Sequence, residues 1–126
     1  MKTIAFFILT LALLTGCEGN RVDYILSVAN QSETQLTIEV QIGNQLDTFK
    51  IKAGSEKVVF SEVCDDCEDV TKECLAGIES ISIAAEDGRV LSYNPNNAIY
   101  WEREITQNNT GFIHRCTLEI LDQQLY

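Results

Sequence analysis

The stretch Leu36-Thr37-Ile38-Glu39-Val40-Gln41-Ile42 decides the fold, because an aliphatic side chain occupies every even position and a polar one each odd position between them. This alternation has the two-residue period of a β-strand with one buried face. Gly43-Asn44 follows directly and has the composition of a two-residue turn, and Phe49 and Ile51 continue the pattern on a returning strand. The stretch therefore predicts a β-hairpin.

The same alternation recurs along the rest of the chain, where turn residues separate short apolar rows. It predicts strands over residues 22–29, 58–60, 81–83, 91–93, 99–105 and 112–120, with turn signals that include Asp87-Gly88. Trp101 and His114 fall on the predicted inward faces. Seven or eight one-sided strands in about 100 residues predict an all-β fold, an antiparallel two-sheet sandwich of immunoglobulin-like type.

The N-terminus carries an export signal. Lys2 precedes an apolar run over residues 4–14, which is too short to span a bilayer and has the order of a secretory leader. The run ends in Leu14-Thr15-Gly16-Cys17, which resembles the lipobox of bacterial lipoproteins. The resemblance implies that residues 1–16 are a removable signal peptide and that Cys17 carries the acyl chains, such as palmitate, of a lipid anchor. Residues 17–21 are then a short tether and 22–126 a single domain.

A second resemblance covers most of the mature chain. Its motifs are Tyr24-x-Leu26-Ser27-Val28-x-Asn30-x-Ser32, then Ile51-x-Ala53-Gly54, then Ile81-x-Ile83 followed by Asp87-Gly88-Arg89-Val90-Leu91-Ser92-Tyr93. This pattern resembles the small β-sandwich lipoproteins of Bacteroidota, a family that supplies no catalytic residues to transfer. Glu18 stands where many inner-membrane lipoproteins carry aspartate, which favours the outer membrane and leaves its periplasmic and surface faces both open.

The charge balance restricts the partners. Without the leader the chain has 8 basic and 19 acidic residues, a formal charge of −11. Such a surface repels nucleic acid and anionic headgroups. We therefore expect no nucleic-acid partner, and a membrane link made by lipid alone.

Four cysteines remain once Cys17 is assigned to lipid, and they lie in or face an acidic insertion predicted over residues 61–77. An even number in an exported chain predicts two disulfides among Cys64, Cys67, Cys74 and Cys116. Three pairings are open, and the preferred one joins Cys67 to Cys116 and Cys64 to Cys74. A zinc site and a thioredoxin-like redox motif are weaker alternatives, because the spacing and the flanking aspartates do not suit them.

The acidic run itself offers hard oxygen ligands for calcium, or else a solvated face. Its members are Asp65, Asp66, Glu68 and Asp69. On the predicted outward face of strand 99–105, Tyr100 is the candidate for an exposed aromatic contact. His114 is expected to be a core residue, since no nucleophile or acid is identifiable beside it.

The sequence thus predicts a membrane-anchored, non-enzymatic lipoprotein without an obligatory cofactor. Its predicted role is that of a binding or structural module of the cell envelope, with a disulfide-stapled acidic loop that contacts an envelope protein or an extracellular ligand. The alternatives are a calcium-dependent structural or adhesion module and a small envelope hydrolase or thiol oxidoreductase.

Overall fold

A computed structural model describes residues 21–65 and 72–126, and this part of the chain forms seven β-strands. The strands are β1 (Arg21–Gln31), β2 (Leu36–Ile42), β3 (Gln45–Ile51), β4 (Glu56–Cys64), β5 (Ser80–Ala85), β6 (Glu102–Asn108) and β7 (Gly111–Leu121). Short 3-10 turns lie at Ala98–Tyr100 and Asp122–Gln124. Within these ranges, no helix has the length and apolar character that crossing a membrane requires.

The strands form two sheets that pack face to face. One sheet has the order β4-β1-β7-β6 and the other β3-β2-β5. The predicted all-β two-sheet sandwich is therefore confirmed, with seven strands. Every pair of named strands is antiparallel except β1 and β7, which run parallel from Arg21↔Gly111 to Gln31↔Leu121.

The core lies between the sheets and is built from the alternating rows that the sequence displays. Its fully buried side chains come mainly from β1, β2 and β7 and include Val28, Leu36, Ile38, Val40, Leu118 and Ile120. Burial of each large aliphatic side chain contributes about 1.5–3 kcal/mol, so these rows fix which face of each sheet points inward.

The sandwich has two ends, which we call the N-terminal pole and the opposite pole. Strands β1 and β7 run from the N-terminal pole to the opposite pole, and β2 runs back. The N-terminal pole contains Arg21, the Gly43-Asn44 turn, the Asn109-Thr110 turn, the end of β4 at Cys64 and the start of β5 at Ser80. The opposite pole contains the turns at residues 32–35, 52–55 and 86–89. The Gly43-Asn44 turn lies where the sequence predicts it.

A buried amide closes the opposite pole. Asn30 is 1% exposed, and its Nδ2 donates to the carbonyl oxygens of Thr34 at 2.8 Å and Ile51 at 2.9 Å. Its Oδ1 accepts from the backbone N–H of Ser32 at 3.0 Å and from the Ser32 hydroxyl at 2.6 Å. One side chain therefore joins the end of β1 to the turn before β2 and to the end of β3.

The predicted strand over residues 99–105 is wrong in its first half. Ala98–Tyr100 is a 3-10 turn, in which the Asn97 side chain accepts from the Ile99 backbone N–H, and β6 begins only at Glu102. Trp101 is buried as predicted, because its Nε1 donates to the Pro95 carbonyl at 2.8 Å and its ring joins the core. The capping bond and the indole together hold this segment out of strand geometry.

The predicted hairpin at Asp87-Gly88 forms only a single bridge, Ala84↔Val90. Beyond it, Leu91 pairs with Leu125, and the backbone groups of Val90 and Tyr126 exchange hydrogen bonds of 2.9 and 3.0 Å. The C-terminal residues therefore take the place of a returning strand.

Gly111 opens β7 at a position that a side chain would disturb. Its φ is 152°, and a Cβ placed there would overlap the carbonyl oxygen of Arg21 on the neighbouring strand. We expect Gly111→Ala to lower the free energy of unfolding by about 2 kcal/mol, measured by urea denaturation. Gly88→Ala is the matched control, because Gly88 has φ 88° with open space around it and should cost about 1 kcal/mol. Equal losses would contradict the steric argument.

An ion-pair network at the opposite pole predicts a pH dependence. Arg89 Nε lies 2.8 Å from Asp87 Oδ2, and its Nη2 lies 2.9 Å from Asp122 Oδ1. The backbone N–H and the guanidinium of Arg89 lower the pKa of Asp87 below its ordinary value of 3.8. The guanidinium, with the Glu33 backbone N–H, lowers the pKa of Asp122 in the same way.

Carboxyls with lowered pKa values stabilise the folded state fully above pH 3.8, and this contribution is lost as the pH falls through their folded pKa values. We therefore expect Arg89→Gln to be less stable than the wild type near neutral pH, with a difference that shrinks toward about pH 2. Thermal unfolding of both proteins across the acid range measures this. A difference that is the same at every pH would rule out the ionic origin.

Candidate functional site

The connection between β4 and β5, residues 65–79, has an unusual sequence that is rich in cysteine and acidic residues, and we call it the Cys-rich connection. The predicted insertion at 61–77 begins too early, because β4 continues to Cys64 by pairing with Val22 of β1. The described end of the connection is a tight turn, closed by hydrogen bonds from Ala76 N–H to Glu73 O and from Ile78 N–H to Leu75 O. The Glu79 N–H then donates to the Gln41 carbonyl at the start of β5.

A disulfide between Cys74 and Cys116 fastens this turn to the sandwich. The preferred pairing of the sequence, Cys67 with Cys116 and Cys64 with Cys74, is therefore wrong. Cys116 is 1% exposed on the inward face of β7, as predicted, and the turn packs Cys74, Leu75 and Ile78 against the same core. This packing brings the Cα atoms of Cys74 and Cys116 to 5.6 Å, within the range of a disulfide.

Cys64 is also disulfide-bonded, and its partner lies outside the described residues, as do Cys17 and Cys67. Three of the four cysteines that the zinc interpretation needs as thiolates are thus oxidised, and that interpretation is wrong.

Beside the disulfide, aromatic and charged side chains pack against one another in a cluster. The rings of Tyr24 and His114 meet edge to face with centroids 5.3 Å apart. Lys72 Nζ lies 4.9 Å from the Tyr24 ring centroid and 3.4 Å from Glu62 Oε2. His114 is 2% exposed, which confirms it as a core residue.

The cavity among these groups is about 10 Å³, the space of a single water molecule. It is lined by Tyr24, Glu62, Lys72, Cys74, His114 and Cys116 among others. A cavity of this size admits no organic substrate. The cluster therefore stabilises the attachment of the Cys-rich connection to the sandwich.

An open groove lies on the other side of the disulfide, between the Cys-rich connection and the segment that leads into β6. It has a volume of about 310 Å³ and is lined by Glu73, Cys74, Ala98, Ile99, Trp101 and Arg103. Ile99 is 78% exposed at this surface, although the sequence pattern placed it on the inward face of a strand. The groove offers apolar contact at Ile99 between an acidic side chain, Glu73, and a basic one, Arg103.

Tyr100 follows Ile99, which lines the groove, and is 46% exposed. The ring of Tyr100 stacks on that of Tyr93 with centroids 4.3 Å apart. The pKa of the Tyr93 phenol is raised, mainly because the phenol is partly buried and also by its electrostatic interaction with Tyr100. The exposure of Tyr100 agrees with the prediction, but Tyr100 lies in the 3-10 turn and not in the predicted strand. Its role as a binding contact stays a prediction.

Of the four acidic residues predicted to bind calcium, only Asp65 lies in the described part of the chain, where it is exposed. Asp66, Glu68 and Asp69 lie outside it. Over residues 21–65 and 72–126, no group of three or more His, Cys, Asp or Glu side chains is arranged to hold a metal ion. The calcium site stays a prediction.

Comparison with known proteins returned no match: no family model, no curated protein and no solved structure is significantly similar to this chain.

Proposed function

We propose that this chain is a lipid-anchored, non-enzymatic module of the bacterial cell envelope, attached through Cys17 to the outer membrane. In this proposal the sandwich is a rigid body and the Cys-rich connection is its contact surface for an envelope protein or an extracellular ligand. The observation that carries it is the Cys74–Cys116 disulfide, which fastens the described end of the Cys-rich connection to the central strand β7. Covalent attachment of this kind reduces the conformational freedom that a binding segment loses when it meets a partner.

Two further features support the proposal. Disulfides persist in oxidising compartments, which agrees with the export signal at residues 1–16. The groove beside the disulfide gives the Cys-rich connection an exposed apolar neighbour, Ile99, between the charged side chains of Glu73 and Arg103.

Lipidation is tested by expressing the full chain in a bacterial host and separating membrane from soluble fractions. We expect the wild type in the membrane fraction, with an N-terminal peptide whose mass shows acylated Cys17. Cys17→Ala should remain unacylated and lose the membrane attachment. Recovery of both proteins with an intact leader and unmodified Cys17 would contradict the proposal.

Partner contact is tested by crosslinking in intact cells, followed by capture of the tagged protein. We compare the wild type with a variant carrying Asp65→Asn and Asp66→Asn. The matched control carries Glu86→Gln and Glu119→Gln, which removes the same charge elsewhere. Crosslinked species that are lost in the first variant and kept in the control support the Cys-rich connection as the contact surface. Equal capture by all three proteins would count against it.

A further inference from the structure

The lipid anchor and the first strand lie very close together in the chain. Cys17 and Arg21 are four residues apart, and a chain of that length spans only about 15 Å even when it is fully extended. By contrast, β1 is 11 residues long and extends about 35 Å from the N-terminal pole to the opposite pole. The anchor can therefore reach the bilayer from one pole only, unless the domain lies on its side.

The short tether restricts how the domain can lie on the bilayer. In an upright arrangement the N-terminal pole meets the headgroups and the opposite pole is held about 35 Å away. In a sideways arrangement both poles lie at the same depth. A tether of about 15 Å keeps the N-terminal pole at the headgroups in either case.

We infer that the N-terminal pole is the membrane-facing surface of this protein and that its partner there is the lipid headgroup layer. The surface consists of Arg21, the Gly43-Asn44 turn and the Asn109-Thr110 turn, all exposed except for Gly111 beside them. Arg21 is the cation at this pole closest to the anchor. Its side chain is half exposed while Nε lies 3.1 Å from Asp23 Oδ1, so the rest of the guanidinium can meet a lipid phosphate.

This orientation specifies what the Cys-rich connection can meet. The connection leaves β4 beside Val22 and enters β5 beside Gln41, so both its ends lie at the membrane-facing pole. A partner that contacts it must therefore be present at the bilayer surface. The inference rests on lipidation of Cys17, and its test separates the two.

The test uses the full lipidated protein, purified from membranes and reconstituted into phosphatidylcholine vesicles. A photocrosslinking amino acid replaces Asn44 at the membrane-facing pole in one variant and Ser55 at the opposite pole in another, both of them exposed turn positions. Flotation with the vesicles is measured first, because a protein without lipid at Cys17 does not float. That result would overturn the proposed function, and this inference with it.

For protein that floats, we expect several-fold more lipid adducts, detected by mass spectrometry, from position 44 than from position 55. Equal yields, or an excess at position 55, would overturn the orientation while leaving lipidation intact. A third protein has a flexible Gly-Ser insertion of about 20 residues before Arg21, long enough to release the pole from the bilayer. Its yields should become equal, and an excess at position 44 that survived the insertion would overturn the short tether as the cause.

Discussion

Replacing both Cys74 and Cys116 by alanine is expected to lower the free energy of unfolding by about 4 kcal/mol, a large share of the stability of a small domain. The two residues are 42 positions apart, so their bond removes much conformational freedom from the unfolded chain. The loss also frees the Cys-rich connection from β7, which exposes Leu75 and Ile78 to water. Urea denaturation under oxidising conditions measures the difference.

A control separates this bond from the other oxidised cysteine. In the proposed function Cys17 bears lipid, which leaves Cys67 as the expected partner of Cys64, and so short a loop constrains the unfolded chain less. We therefore expect the Cys64→Ala, Cys67→Ala variant to lose about 2 kcal/mol, roughly half of the loss expected for the Cys74→Ala, Cys116→Ala variant. If this variant lost as much stability as the Cys74→Ala, Cys116→Ala variant, the assigned pairing would be wrong.

Asn30→Ala is expected to cost about 3 kcal/mol. The substitution removes both donors to the Thr34 and Ile51 carbonyl oxygens and the acceptor for Ser32, and it leaves these groups buried without replacement. Urea denaturation at neutral pH should show the loss directly. Ser32→Ala is the matched control, because it removes only a hydroxyl from the same corner and should cost about 1 kcal/mol.

Asn30→Asp refines the test, since it keeps the shape and replaces the donating amide by a carboxylate that faces two carbonyl oxygens. Its stability should be low at neutral pH and should recover in part near pH 3, where a protonated carboxyl can donate once. An Asn30→Ala loss of stability no larger than that of Ser32→Ala would contradict the role given to the amide.

The triplet Asn30-Gln31-Ser32 has the form of a glycosylation sequon. The Asn30 amide is buried, however, and its role is structural.

Alternation predicts the strands well where burial alone decides them. Residues 36–42 form β2 with the bounds read from the sequence, and the turn at Gly43-Asn44 follows as expected. The inward row of β7, with His114, Cys116 and Leu118, is likewise confirmed. In these elements the buried face, the period and the turn residues all favour the same structure.

Three features lie beyond the sequence pattern, each for a physical reason. Ile99 follows the same alternation as a strand residue, yet Asn97 caps a 3-10 turn around it, and that choice depends on where Trp101 is buried. The pairing of Cys74 with Cys116 depends on which end of the Cys-rich connection packs on the core. The parallel pairing of β1 with β7 is invisible to alternation, which records faces and not strand direction.

The pairing of the first strand with the last also has a consequence for biogenesis. Arg21 and Gly111 are 90 positions apart, and β1 and β7 are the two central strands of their sheet. Contacts so distant along the chain form late and slowly in folding. The polypeptide consequently cannot complete this sheet until its last strand has been synthesised, so the native sandwich forms only when nearly the whole chain is available.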